Sequence, residues 1–192
     1  MSARSEKIDI VRRIHPQKFA LWAAMASMVM FFGAFTSAYI VKQAAGSWLE
    51  FPIPNLFYIS TAVLLASSIT LHLSYRSYIH KNFVNYRNLL LTSLVLGITF
   101  VVLQYFGWLE LFNMGVDMKV NVSGSFFYLI TGAHAAHILG GIAALIVAVI
   151  HSRILPLEFK ESRRHRFELV LQYWHFVDVL WIYLLIFLLT VK

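Results

Sequence analysis

The sequence predicts an all-α membrane protein, one bundle of five transmembrane helices, and three observations carry that prediction. Of the 192 residues, 59% are hydrophobic and only 13% are charged, with a mean hydropathy of +0.70, which is the balance of a polytopic membrane chain. The apolar residues gather into five runs, each close to or above the ~20 residues that cross ~30 Å of hydrocarbon as a helix. Those runs are continuous, whereas the strands of an outer-membrane barrel alternate apolar and polar residues. The chain has no cysteine, so disulfides and thiolate metal sites are excluded.

A cytoplasmic N-terminal tail is expected over residues 1–18, because it is polar, carries Arg4, Lys7, Arg12, Arg13 and Lys18, and lacks the apolar core of a signal peptide. The transmembrane domain follows over residues 19–192. Its first helix is expected over Phe19–Val41, a run without any His, Asp, Glu, Lys or Arg. The second, Leu56–Tyr75, holds His72 near its end, where an imidazole is either solvated or placed to meet a phospholipid headgroup. The third, Leu89–Trp108, again lacks ionisable groups. The fourth, Ser125–Ile150, contains His134 and His137, and the fifth, Leu169–Val191, contains His175 and Asp178. Trp22, Trp48 and Trp108, near segment ends, read as interfacial anchors.

Charge orients the bundle. Thirteen Lys and Arg residues fall on one side: the tail, then Arg76, Lys81 and Arg87, then Arg153, Lys160, Arg163, Arg164 and Arg166. The other side has Lys42, Lys119 and Lys192. The positive-inside rule therefore predicts a cytoplasmic N-terminus and a C-terminus outside. It also explains the +7 balance without nucleic acid, since the basic residues are spread over short connections. The longest of these, from His151 to Glu168 with Pro156 inside it, is too short for a soluble catalytic domain.

Two patterns are superposed on the fourth helix. Gly132, Ala136, Gly140 and Ala144 recur every four residues, a stripe that admits a close helix neighbour. His134 and His137, three apart, share a different face. On the fifth helix, Glu168, Leu171, His175 and Asp178 fall at spacings of three and four, so one face carries two carboxylates and an imidazole. A mid-membrane Asp costs about 2.5 to 3.5 kcal/mol on insertion scales, so Asp178 is expected inside with a partner.

Three readings of His134, His137, Glu168, His175 and Asp178 compete. Carboxylate-bridged metal sites in helix bundles use paired Glu-x-x-His motifs, and neither helix has one. Bis-histidine haem needs imidazoles facing each other from two helices, as in a small membrane cytochrome b. The third reading is a buried polar cluster that fixes helix packing, each hydrogen bond contributing about 0.6 to 2 kcal/mol. A proton-coupled carrier using Asp178 and His175 is disfavoured by the lack of internal repeats and of broken helices.

The runs SFFYLITGAHAAHILGG at Ser125–Gly141 and FELVLQYWHFVDVLWIYLLIF at Phe167–Phe187 resemble subunit III of the haem-copper terminal oxidases. MVMFFGAFTSAYIV, LLASSITL and the LG..F...Q of the third segment are similar to the corresponding stretches of that family, so the resemblance covers nearly all of residues 19–192. It implies that His134, His137, Glu168, His175 and Asp178 are the characteristic polar residues, with Trp174 and Trp181 as flanking aromatics. Two positions depart from the family pattern. Met28 stands where the family usually places a membrane-embedded Glu, and Gly107 stands where it frequently has another.

The resemblance also implies a role. The chain is similar to the short bacterial form, without the two extra N-terminal helices of long members, which another chain of the complex is a candidate to supply. It would hold no catalytic residue, metal or haem of its own. Haem and copper would lie in the partner catalytic subunit I, which reduces oxygen with electrons from cytochrome c or quinol while pumping protons. The implied work is to stabilise that subunit and other oxidase subunits, to maintain proton delivery and to bind structural phospholipids. The implied location is the bacterial cytoplasmic (inner) membrane.

Overall fold

A computed structural model describes residues 16–46, 48–117, 121–154 and 158–191. His15 and the basic residues Arg4, Lys7, Arg12, Arg13, Lys119 and Lys192, like Pro156, lie outside the described residues. Five helices follow one another: α1 (Pro16–Ala44), α2 (Asn55–Ile79), α3 (Phe83–Asn113), α4 (Val122–Ile154) and α5 (Glu161–Thr190). All five are long and apolar enough to cross a membrane, as the sequence predicts, and no strand occurs among the described residues. Each begins before its apolar segment, and α1 to α4 also run beyond its end. At 31 and 33 residues, α3 and α4 are roughly 45 to 50 Å long and must project beyond the hydrocarbon.

The boundaries have local causes. Pro16 opens α1 at a position where its missing N–H costs nothing. Between α2 and α3 the chain reverses within three residues, with Lys81 at φ 59°, and the Asn82 side chain accepts from the Asn85 amide at 3.3 Å to cap α3. At the other end of α3, Gly115 takes φ 83°, and the Val116 amide returns to the Leu111 carbonyl at 3.1 Å. This is the glycine-terminated helix end in which a left-handed residue satisfies orphan carbonyls.

The tightest pair is α2 with α3. Buried residues on α2 include Phe57, Ser60, Leu64, Ser67, Leu71, Ser74 and Tyr78, and on α3 they include Tyr86, Leu90, Ser93, Gly97, Phe100, Gln104, Gly107 and Leu111. Both sets step by three and four, the seam of an antiparallel coiled coil. Three polar rungs cross it. Gln104 Nε2 donates to Ser60 Oγ at 3.0 Å, Ser67 and Ser93 each reach the other's backbone carbonyl at 3.0 and 3.1 Å, and Ser74 Oγ donates to the Tyr86 carbonyl at 2.9 Å.

Helix α5 packs against α1, α2 and α4, while α3 packs against α2 and α4. Half of the apolar span of α5 is buried, against 11% for α1, so α5 is the core helix and α1 the peripheral one. Trp174 of α5 fills the centre of the bundle. A Cβ placed on Gly97 of α3 would lie 2.8 Å from its ring, and one on Gly141 of α4 would lie 2.9 Å from it. The two glycines make the room the indole occupies.

Candidate functional site

The five polar residues singled out in the sequence occupy three separate environments. On α4, His134 is fully buried and stacks on Trp181 of α5, with ring centroids 5.0 Å apart and planes 28° apart. Phe32 and Phe100 stand edge-on at 6.4 and 6.2 Å, and neither ring nitrogen has a hydrogen-bond partner among the described residues. Trp181 is itself held, its indole N–H donating to Thr61 Oγ1 of α2 at 2.9 Å. One turn along α4, His137 turns its Nδ1 to the Ala133 carbonyl at 2.7 Å, and its own carbonyl accepts from the Tyr173 hydroxyl at 2.9 Å.

The second environment lies between α2 and α5. His175 Nδ1 bonds to the Ser68 hydroxyl, and the His72 ring stands 5.8 Å from the His175 ring. Asp178, only 3% exposed, has Ser68 beside it, yet neither carboxylate oxygen meets hydrogen-bond geometry with a partner among the described residues. The third environment is at the opening of α5, where Glu168 forms an ion pair with Lys18 of α1 at 3.6 Å. Lys18 also lies over the Trp22 ring at 5.8 Å. No hydrogen bond joins an acid to a histidine among the five described residues. Opposite His134 the α4–α5 contact is filled by the Trp181 ring, while His175 and Asp178 share Ser68 as a neighbour on α2.

The small-residue stripe requires a correction. Ala136 and Gly140 are exposed, a Cβ on Gly132 would meet nothing within 4 Å, and one on Gly140 would meet only the Tyr173 hydroxyl at 3.6 Å. Ala144 is partly exposed. The stripe therefore does not carry packing within the chain. The close approach falls one residue on, at Gly141, which is rotated ~100° from Gly140 and faces the Trp174 ring. Trp174 and Trp181, both fully buried, lie at that contact.

Ser68 and the rungs Ser60, Ser67 and Ser74 were not among the residues the sequence pointed to. Ser60, Ser67 and Ser74 do carry a signal, the seven-residue recurrence of serine along α2, which Ser68 does not share. No group of three or more His, Asp or Glu side chains that could hold a metal ion occurs among the described residues.

The model of the family described as cytochrome c oxidase subunit III matches residues 17–191, the whole bundle. The chain belongs to the cytochrome c oxidase subunit III family. Among its relatives, the probable cytochrome c oxidase subunit 3 of Nocardia farcinica is 28% identical over 186 residues, covering 94% of this chain and 91% of that one. Cytochrome c oxidase subunit 3 of Corynebacterium diphtheriae is 31% identical over 170 residues, covering 84% and 82% of the two chains. The Drosophila yakuba protein of the same name is 36% identical over 140 residues, 73% of this chain but 50% of its own length. The chain thus matches about half the length of the animal relatives and most of the length of the bacterial ones. One departure from the cytochrome c oxidase subunit III pattern has a structural counterpart: at Gly107, a Cβ would lie 2.8 Å from the Phe57 ring, so that space already holds an aromatic side chain.

Proposed function

We propose that this chain is the accessory, non-catalytic subunit of a bacterial haem-copper terminal oxidase, seated against a catalytic subunit that carries the haem and copper. The observation that carries the reading is the family match over residues 17–191. The chemistry of the polar residues agrees with it: His134 is a stacking partner of Trp181, His137 is tied to its own helix and His175 to Ser68, roles that serve packing. The chain's work is to stabilise its partner, to support proton uptake on the cytoplasmic side and to hold phospholipids, His72 being one contact for a headgroup. The proposed arrangement is a multi-pass protein of the bacterial inner membrane, with residues 1–18 cytoplasmic and 19–192 forming the membrane domain.

Purification in a gentle detergent tests this directly. The expected result is co-purification with chains that show haem absorption, and faster loss of oxidase turnover when this chain is stripped away while the haem spectrum persists. A stoichiometric b-type band in the isolated chain that vanishes in His175→Ala would overturn the reading in favour of a small bis-histidine cytochrome.

A further inference from the structure

Helix α1 is attached unevenly along its length, and its packing face changes character at Phe32. In the C-terminal half, Phe32, Thr36 and Tyr39 are buried. The Tyr39 ring stands edge-on to Trp48 at 4.5 Å and to Phe187 of α5 at 5.3 Å. Its hydroxyl donates to the Val191 carbonyl at 3.2 Å, and Thr36 meets the Tyr183 hydroxyl of α5, also at 3.2 Å. From Pro16 to Phe31, by contrast, no residue is buried, and the continuation of the same stripe, Lys18, Leu21, Met25 and Met28, is only partly covered. Two of these four are methionines, whose unbranched side chains repack without a fixed geometry. This half is tied to α5 by the Lys18–Glu168 ion pair at 3.6 Å.

The junction between the halves is built to bend. A Cβ on Gly33 would meet nothing within 4 Å, so no close packing calls for glycine there, and what it adds is backbone freedom inside a helix. Thr36 Oγ1 donates back to the Phe32 and Gly33 carbonyls, 3.1 Å from each, and such back-bonding loosens and bends a helix at that turn. The ion pair is equally easy to open. Its side chains are 28% and 35% exposed, and wet ion pairs contribute little and are screened by salt. Each member also has an alternative on its own helix. Lys18 lies over the Trp22 ring at 5.8 Å, and Arg164, one turn before Glu168, is within electrostatic reach of it. We propose that Pro16–Phe31 is a strap, hinged at Gly33–Thr36 and latched to α5 by Lys18–Glu168. It swings away from α4 and α5 at the basic end of the bundle while the aromatic anchor around Tyr39 stays in place. Opening frees the Glu168 carboxylate and uncovers the α4–α5 surface beneath the strap, a movement that the accessory role does not itself require.

Because the chain has no cysteine, pairs of spin labels can be placed on introduced thiols alone. The strap pair is Ala23→Cys on α1 with Ile150→Cys on α4, and the anchor pair is Ile40→Cys on α1 with Leu129→Cys on α4, all exposed positions. Pulsed EPR reads both distances in the full chain, reconstituted in nanodiscs of neutral phospholipid. The strap pair is expected to give the broader distribution. It should gain a longer-distance population in Glu168→Gln and in salt of about 1 M, where the screening length falls to ~3 Å, while the anchor pair stays unchanged. Gly33→Ala, which the surrounding space accepts, should reduce that population. A strap pair as narrow as the anchor pair and unmoved by salt overturns the proposal, whether or not Glu168→Gln folds, since salt acts on the unsubstituted latch. A parallel shift of both pairs also overturns it, because α1 then moves as one rod. An undiminished longer-distance population in Gly33→Ala removes the hinge and the proposal with it.

Discussion

Gly141 and Gly132 sit nine residues apart on the same helix, yet the surroundings of their missing side chains are opposite. A methyl on Gly141 would be 2.9 Å from the fully buried Trp174 ring, whereas one on Gly132 meets nothing within 4 Å. Gly141→Ala is therefore expected to lower stability by about 1 to 3 kcal/mol, the usual cost of overpacking a filled core, and Gly132→Ala to leave it within ~0.5 kcal/mol. Thermal unfolding of both variants in one detergent checks the pair, and equal effects would contradict the geometry. At Ser68 the relevant quantity is a single hydrogen bond to His175. Ser68→Ala should cost about 0.6 to 1.7 kcal/mol, the range for hydrogen bonds between membrane helices. A double-mutant cycle with His175→Ala isolates that coupling, since paired residues fail to add. The separation of Asp178 from the α4 histidines was not legible in the sequence. Spacings of three and four place side chains on one face of their own helix, but they do not say which neighbour that face meets. Here the place opposite His134 is held by Trp181.

Among the elements, the pair α2–α3 is where sequence and structure diverge most in what could be read. Hydropathy finds both helices because the bilayer demands a long apolar run, and the ends follow from Pro, Asn and Gly. The seam between them is written in serines, which hydropathy counts only as interruptions. Without a hydrophobic drive between helices inside lipid, small side chains and cross-helix hydrogen bonds hold such pairs, and Ser67 with Ser93 makes two of those bonds reciprocally. Ser67→Ala removes one donor and keeps the close approach; the expected loss is about 0.6 kcal/mol. Ser67→Leu inserts bulk at a fully buried position and should cost more, about 1 to 3 kcal/mol. Denaturation in mixed detergent micelles resolves the order, and a larger effect for the alanine variant would contradict the proposed seam. The Gly132, Ala136, Gly140 and Ala144 stripe misled for a related reason: small residues permit approach on any face, and α4 has glycine on two adjacent ones.

At the scale of the whole molecule, five antiparallel helices in sequence bring the start of α1, the α2–α3 turn and the α4–α5 connection to one end of the bundle. Among the described residues that end carries Lys18, Arg76, Lys81, Arg87, Arg153, Lys160, Arg163, Arg164 and Arg166, and the opposite end only Lys42. Charge asymmetry in short connections sets orientation during insertion, so the basic end is proposed to be cytoplasmic. Single cysteines in this cysteine-free chain decide the point. Ser162→Cys at the basic end should stay unlabelled by a membrane-impermeant maleimide added to intact cells and react once the membrane is opened. Met114→Cys, half exposed at the other end of α3, should react in intact cells. The reverse pattern would place the Glu168–Lys18 pair and its surrounding arginines on the outer face. The anionic lipids of the cytoplasmic leaflet, worth about 1 kcal/mol per basic residue near the surface, would then be unable to reach them. The proposed role in proton uptake from the cytoplasm would fail with the same result, because it requires the basic end to face the cytoplasm.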